Sequence, residues 1–165
     1  MKKFKDAKEV IANKHDLEGA DLSGIDFSGA DLKGFYFMDA NLEGANFEGA
    51  NLEAADFGGA NMQRCNMKNA EIWDASFSGT DMRNTDINEL DLTRVCTFEG
   101  ANFAGNNMEG VNLSGVNLSG ADFSDCDLTD ADLSESILEE YVNFDGAILD
   151  GANFQNTYLE GCVGN

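Results

Sequence analysis

The sequence predicts a solenoid of very short repeats, and three features of its 165 residues support this. An apolar residue returns every five positions along almost the whole chain, beginning with Leu17, Leu22 and Phe27. This period matches neither the 3.6 residues of a helical turn nor the two-residue alternation of a strand. Small and polar residues recur at fixed places between the apolar ones, and Pro is absent. Repeats this short bury an apolar face only by stacking on their neighbours.

Each repeat reads small, Asp or Asn, apolar, polar and then commonly Gly, as in residues 40–44 (ANLEG). The small and apolar residues flank one outward residue, which is the alternation of an extended segment. The last two places then turn a corner, because Gly tolerates positive φ and Asp or Asn bonds to nearby backbone. One extra residue interrupts the rhythm within residues 93–97 and again within 139–143. We predict a β-bulge or a loosened corner at each place.

This pattern resembles the pentapeptide-repeat family, whose signature is A-(D/N)-L-x-x. The matching segments are ADLSG (20–24), ADLKG (30–34), ANLEG (40–44), ANFEG (45–49), ANLEA (50–54), VNLSG (111–115 and 116–120) and ADFSD (121–125). The resemblance covers about residues 15–163 and implies an all-β fold, a right-handed quadrilateral parallel β-helix with four repeats per coil. Side chains twenty residues apart should then stack. The predicted aromatic columns are Phe37, Phe57, Phe77 and Phe98, and Phe103, Phe123 and Phe144.

The N-terminus predicts a short capping α-helix, assigned to residues 1–14, ahead of a single β-helix domain over 15–165. Within residues 4–13, Ala7, Val10 and Ile11 share one helical face. Asp6 is placed to cap this helix, with Glu9 three residues later. The Lys residues near this end also permit a basic anchor for an anionic surface. His15, the single histidine, is expected in the lid over the first coil.

The other end of the predicted solenoid has less cover. After Leu159 only EGCVGN remains, which is too short for a capping helix. Phe154, Leu159, Cys162 and Val163 would leave apolar side chains and strand edges open, and such an edge invites a partner. We therefore expect an end-to-end homodimer through the C-terminal coil, with a monomer as the alternative.

The sequence predicts neither a cofactor nor a metal site, and no enzyme. Cys65, Cys96, Cys126 and Cys162 are read as small core fillers, because none is spaced for a disulfide or a zinc site. A regular rod offers no cleft in which a base, a nucleophile and an orienting group could converge. No apolar run reaches membrane-spanning length, and no signal peptide follows Met1. These features indicate a cytoplasmic protein without membrane contact.

The net charge of −21 is the main functional indication, and it is distributed unevenly. All ten Lys and Arg residues lie within residues 1–94, so the rest of the chain is purely acidic. Such a surface repels nucleic acid directly and attracts a basic protein. The candidate partner site is an acidic band, Asp122, Asp125, Asp127, Asp130 and Asp132. Apolar residues in places that are normally polar add Tyr36, Met38 and Trp73 as candidate contacts.

Two functions compete on these grounds. The first is a non-catalytic scaffold that binds other proteins. The second follows from the family resemblance, because some pentapeptide-repeat proteins give quinolone resistance by imitating duplex DNA on type II topoisomerases. A rod of about 35 Å corresponds to roughly twenty charges of DNA at about 1.7 Å per charge. A third interpretation is that acidic corners serve only solubility.

Overall fold

The computed structural model describes residues 2–13 and 17–157. One α-helix, α1 (Ala7–Ala12), precedes a long run of tight turns and parallel bridges that continues to Asn153. A 3₁₀ turn, Leu92–Arg94, is the other helical element within this range. The extended segments are so short that each forms a single parallel bridge rather than a longer strand. The described residues therefore form a solenoid.

The coil has four sides, because bridges join residues twenty apart, as in Asp21 to Asn41 to Asn61. We number the sides by their central apolar residues. Side 1 holds Leu17, Phe37, Phe57, Phe77, Phe98, Leu118 and Leu138; side 2 holds Leu22, Leu42, Met62, Met82, Phe103, Phe123 and Phe144; side 3 holds Phe27, Phe47, Met67, Ile87, Met108, Leu128 and Leu149; side 4 holds Leu32, Leu52, Ile72, Leu92, Leu113, Leu133 and Phe154. Two residues joined by a bridge are 21 positions apart where an extra residue lies between them, as for Asp81 and Asn102.

Each corner is a tight turn made by the last two residues of the repeat. The N–H of Ala20 donates to the Leu17 carbonyl at 3.0 Å, and Gly19 between them has φ of 62°. Positive φ at the third turn residue alone defines a type II turn, which explains the preference for Gly. The Asp or Asn side chain supports the turn by accepting a bond from the backbone two residues on, as Asp26 does from Ser28 at 3.0 Å.

The axis of the rod is filled by stacked central side chains. Phe37 and Phe57 are 5.1 Å apart with planes within 10° of parallel, and the column continues through Phe77 to Phe98. The second predicted column is also present, from Phe103 through Phe123 to Phe144. A further pair, Phe27 and Phe47 on side 3, stacks at 5.1 Å and was not anticipated. The ring spacing matches the coil spacing, so offset stacking and backbone pairing reinforce each other.

Two of the cysteines are the expected core fillers, and one is not. Cys65 and Cys126 are buried, and their thiols donate to the Leu42 and Phe103 carbonyls at 3.2 and 3.0 Å. Burial raises the thiol pKa of Cys65 to about 12 and that of Cys126 to about 11. Cys96 is exposed, so the prediction that it fills the core was wrong. Cys162 lies outside the described residues.

Cys96 is exposed because it lies in the first irregularity, which is a β-bulge. Its N–H donates to the Ala75 carbonyl at 2.8 Å, whereas the Thr97 carbonyl accepts the bond from Phe77 at 3.0 Å. In the regular coil, Asp56 alone makes both of the corresponding bonds. Two residues thus take the place of one, and the extra side chain turns outward.

The second irregularity is a loosened corner. Glu140 and Tyr141 are consecutive residues with positive φ, 58° and 67°. Val142 then returns to the core and is fully buried. The extra residue is absorbed at the corner, and Tyr141 is left 76% exposed.

The N-terminal segment joins the first coil through α1 and the strand before it. The N–H of Glu9 donates to the Asp6 carboxylate at 3.0 Å, and the Glu9 carboxylate accepts from the N–H of Lys5, the residue before the cap, at 2.8 Å, a close variant of the capping box. Val10 is fully buried in the core, whereas Ile11 is 41% exposed and so departs from the predicted apolar face. His15 lies outside the described residues.

We predict that glycine is preferred at the corners for its backbone conformation and only slightly for the space it leaves. Gly151 and Gly115 both have positive φ; a Cβ at Gly151 would meet the Asp130 carboxylate, whereas the space at Gly115 is open. Gly115→Ala should therefore lower the free energy of unfolding by about 1–2 kcal/mol, the cost of the left-handed conformation. Because Asp130 is exposed and its carboxylate can turn aside, Gly151→Ala should cost no more than about 0.5 kcal/mol beyond this, measured by urea denaturation. A much larger loss in Gly151→Ala that is reversed by Asp130→Ala would contradict the explanation.

We also predict that the carboxyl group of Asp21 titrates unusually low. Its contact with the Lys3 ammonium at 2.9 Å, followed by bonds from Ser23, lowers its pKa to about 2. Because the folded pKa lies below the unfolded value of roughly 3.9, the stabilisation is complete above that pH and disappears as pH falls towards 2. A carbon-13 titration of the Asp21 carboxyl should show this midpoint, and Lys3→Ala should raise it. An unchanged midpoint in Lys3→Ala would rule out Lys3 as the main cause.

Candidate interaction surfaces

The acidic band winds around the rod instead of lying on one side. Asp122 belongs to side 2, Asp127 to side 3 and Asp132 to side 4, and Asp125 and Asp130 occupy the corners between them. The structure therefore brings the five predicted residues into one coil but points them in different directions. A partner lying on one flat side would contact only some of them.

Three residues of this band also stabilise their own turns. Asp122, Asp127 and Asp132 are half-buried, and each carboxylate accepts a backbone bond from the residue two positions on, at 2.9 to 3.0 Å. Hydroxyl and backbone bonds lower the pKa of Asp127 and Asp132, so both stay ionised at neutral pH. Asp125 and Asp130 are more exposed and lie at the corners, where their carboxylates lie over Gly146 and Gly151 of the following coil. These two are the members of the band best placed to contact a partner.

Ion pairs partly neutralise the N-terminal half of the rod. The described pairs are Lys3–Asp21 at 2.9 Å, Lys33–Glu53 at 2.7 Å, Arg64–Glu43 at 3.0 Å and Arg83–Asp81 at 2.6 Å. All have solvent-accessible members, so they add little to stability. Beyond Val95 the sequence has no Lys or Arg to form such pairs. The acidic charge of the C-terminal half is thus largely uncompensated, although Arg83 on side 2 interacts electrostatically with Asp122.

The predicted apolar contacts are exposed, but they lie on two different sides. Tyr36 is 55% and Met38 is 37% exposed on side 1, where bulky Phe35 is buried in the place normally held by Ala. Trp73 is 43% exposed on side 4, and the Arg94 guanidinium stacks over its ring at 3.8 Å. The structure therefore does not combine Tyr36, Met38 and Trp73 into a single patch.

Three other exposed apolar residues were missed by the sequence analysis. Ile137 and Ile148 are 44% and 49% exposed, and Tyr141 projects from the loosened corner. Ile137 and Ile148 occupy the place where the repeat normally has Asp or Asn, and this departure from the pattern could have revealed them.

The wall of the rod opens on sides 3 and 4 next to the first irregularity. On side 2 the bridges run without interruption from Asp21 to Asn143. Within residues 17–157, side 3 has no bridge between Asp86 and Asn107, and side 4 has none between Asp91 and its counterparts in the adjoining coils. The extra residue lengthens this coil, so its neighbours cannot pair with it along every side. The sequence analysis did not expect a single insertion to create an opening.

Two cavities accompany this opening. The larger, about 390 Å³, lies between the segment Asn84–Asn88 and the next coil at residues 105–107. The smaller, about 130 Å³, separates Asp86, Glu89 and Leu90 from Asn66 and Lys68 of the preceding coil. Asp86 lines both cavities, but it keeps its bridge to Asn66 of the preceding coil, so the segment is separated mainly from the following coil.

The Asn106 side chain closes the inner end of the opening. Its oxygen accepts the N–H of Asn84 at 2.7 Å, and its amide nitrogen donates to the Met82 and Thr85 carbonyls at 3.0 and 3.4 Å. Asn106 is 6% exposed and stands where most repeats have Ala. It satisfies backbone groups that the interrupted ladder leaves without their usual partners.

The described residues show no grouping of three His, Cys, Asp or Glu side chains that could hold a metal ion. Over residues 2–13 and 17–157, no helix has the length and apolar character needed to cross a bilayer. In the described part of the chain, the places open to a partner are the flat sides, the acidic corners and the opening next to the first irregularity.

Comparison with known proteins connects this fold to a family. The family described as pentapeptide repeats matches in eight copies, over residues 16–53, 36–74, 60–96, 96–135 and 126–163. No curated protein sequence matches the chain.

Several solved structures are similar. HetL, a pentapeptide repeat protein involved in heterocyst differentiation regulation from the cyanobacterium Nostoc sp. strain PCC 7120, is 25% identical over 88% of this chain and 68% of its own, with a TM-score of 0.48. QnrB1, a plasmid-mediated fluoroquinolone resistance protein, is 20% identical over 96% of this chain and 89% of its own, with a TM-score of 0.47. Rfr23 from the cyanobacterium Cyanothece 51142 is 17% identical over 94% and 99%, with a TM-score of 0.32. Because the family match extends over most of the sequence, this chain belongs to the pentapeptide-repeat family.

Proposed function

We propose that the protein is a non-catalytic scaffold that binds a basic protein partner through the acidic C-terminal half of its rod. The observation that carries this proposal is the absence of Lys and Arg after Arg94, in a chain of net charge −21. Uncompensated acidic charge steers a basic partner towards this half and accelerates the encounter. Asp125 and Asp130 would contact the partner most directly, since they are the most exposed members of the band and lie at the corners.

The proposal also covers the cellular location, the handedness of the coil and the oligomeric state of the protein. Cys65, Cys96 and Cys126 are free thiols, which supports a reducing, cytoplasmic location. The right-handed sense of the coil and the capping role of α1 belong to the same proposal. An end-to-end homodimer through the C-terminal coil is supported by Leu149 and Phe154, which are only half-buried. Leu159, Cys162 and Val163, which also entered that prediction, lie outside the described residues.

Charge neutralisation within the band tests the proposal. Replacing Asp122, Asp125, Asp127, Asp130 and Asp132 by Asn removes five charges while keeping residue types that the repeat already uses in these places. The matched control replaces the same number of Asp residues at equivalent positions of the N-terminal half, namely Asp21, Asp26, Asp31, Asp39 and Asp74. We expect the first variant to lose the proteins that wild type retains from a cell extract at low salt, and the control to retain them. Retained proteins should also be released by salt.

If both variants retain the same proteins as wild type, the acidic band serves solubility and the proposal is wrong. Circular dichroism and urea denaturation of both variants would separate loss of binding from loss of folding. Cross-linking of wild type to each retained protein, followed by peptide mapping, should locate the contact within residues 95–157.

A second candidate is imitation of duplex DNA towards a type II topoisomerase. It is favoured by the match between the charge of −21 and the roughly twenty charges of a DNA segment about 35 Å long. In gyrase supercoiling reactions, DNA mimicry predicts inhibition or fluoroquinolone protection that weakens as salt rises. The band variant should act less than the control variant. If micromolar protein changes gyrase supercoiling no more than buffer does, DNA mimicry is rejected and the scaffold function remains.

A further inference from the structure

We propose that the larger cavity beside the bulge is a binding site for an arginine side chain of the basic partner. This inference rests on the proposed function, since it names the residue type that anchors the partner. The site is the opening of about 390 Å³ between Asn84–Asn88 and residues 105–107, which we call the slot. It is a second location for partner contact, which adjoins the acidic band but includes none of its residues.

The slot can take a side chain because the coils around it are not joined. The missing bridge between Asp86 and Asn107 leaves a gap where the rest of side 3 has a continuous wall. Asn106 keeps the inner end of the gap closed through its three hydrogen bonds. A ligand can therefore enter from solvent without breaking the ladder that holds the coils together. The slot has the volume of about ten water molecules, which is enough for the polar end of one side chain.

The lining of the slot favours a planar cation. Asp86 supplies a carboxylate, one oxygen of which accepts the Asn88 N–H at 3.2 Å, and Asn84, Asn88 and Asn107 also line the slot. The Asn107 side-chain oxygen accepts the Glu109 N–H at 3.0 Å and keeps a second lone pair for a ligand. A guanidinium group carries five N–H donors in one plane and no acceptor, so it can meet several of these oxygens at once. A calcium ion would need six to eight oxygen ligands, and Asp86 is the one carboxylate among the described lining residues. The chemistry thus suits an arginine better than a metal ion.

The surroundings strengthen the preference for positive charge. On side 3, Glu109 lies in the same coil as Asn107, and Asp127 and Asp130 lie in the coil that follows. The sequence has no Lys or Arg close to any of these three residues. Lys68 lines the smaller cavity, on the opposite side of the Asp86 segment from the slot. An anionic ligand would meet repulsion here, whereas an arginine would be drawn towards the slot before it makes contact.

The peptide acetyl-Gly-Arg-Gly-amide, titrated into the full-length protein, tests the site. Backbone nitrogen-15 spectra should show shifts concentrated at residues 84–88 and 105–107. The matching citrulline peptide, which has similar shape and no charge, should produce no saturable shifts. Asp86→Asn should weaken binding of the arginine peptide by about twofold to fivefold, the loss expected for an ion pair at an exposed site. Asp26→Asn is the control, because Asp26 lies in the same column where the ladder is intact.

Deleting Cys96 provides a second, structural test. The deletion restores the five-residue spacing between Leu92 and the next central residue, so the coils should pair and the slot should close. We expect the variant to fold and to lose the localised shifts. If it does not fold, Asp86→Asn still decides the question.

Three results would overturn the proposal. Shifts spread over all acidic corners and unchanged by Asp86→Asn would indicate unspecific attraction. Equal binding of the citrulline peptide would remove the role of charge, and absence of shifts at residues 84–88 and 105–107 would leave a hydrated cavity only. If the Asp86→Asn variant still retains the partner and the band variant does not, the arginine site is rejected and the scaffold function stands. If neither variant changes partner retention, both proposals fail.

Discussion

The structure depends on a single constraint, the alignment of each repeat with the repeat four places later. The same alignment joins the backbones of successive coils and brings the central rings together, as in the Phe37–Phe57 pair at 5.1 Å. Because strand spacing and ring stacking require nearly equal distances, neither has to distort to suit the other. The positions of the surface side chains on the coils follow from this register.

The same constraint explains why one extra residue has such different effects at its two locations. Near Glu140 the extra residue is taken up at a corner, and the side 2 bridge from Asp122 to Asn143 is kept. Near Cys96 the extra residue enters an extended segment, and within residues 17–157 bridges are missing on sides 3 and 4; side 1 also has no bridge between Thr97 and Asn117, although Phe98 keeps one bond to the Asn117 carbonyl. A corner is exposed and donates a single N–H to the next coil, as Gly24 does to the Glu43 carbonyl, so it tolerates added length. An extended segment tolerates it less, because its Asp or Asn residue makes two backbone bonds to the preceding coil, as Asn41 does with Ala20 and Leu22.

The acidic surface is shaped by the fold as much as by any function. Asp at the second place of a repeat supports the turn, as Asp132 does, so some acidic charge is expected in any such rod. Asn performs the same role at Asn51 without charge. The choice of Asp at Asp122, Asp127 and Asp132 is therefore not required by the turn, and this leaves room for a functional reason. The charge at the corner residues Asp125 and Asp130 is even less constrained by local hydrogen bonding.

The sequence alone determined the repeat, the inward and outward alternation and the asymmetry of charge, because each of these follows from the spacing and type of residues. The Phe37 and Phe103 columns followed once the family resemblance supplied four repeats per coil. It also indicated that Tyr36, Met38 and Trp73 are exposed. Tertiary structure decided how these residues are grouped: the acidic band encircles one coil, and Trp73 lies on a different side from Tyr36. It also decided that Cys96 faces solvent and that the wall opens beside Asp86. These outcomes depend on how a whole coil adjusts to one added residue, and that adjustment involves contacts twenty residues away that local sequence does not record.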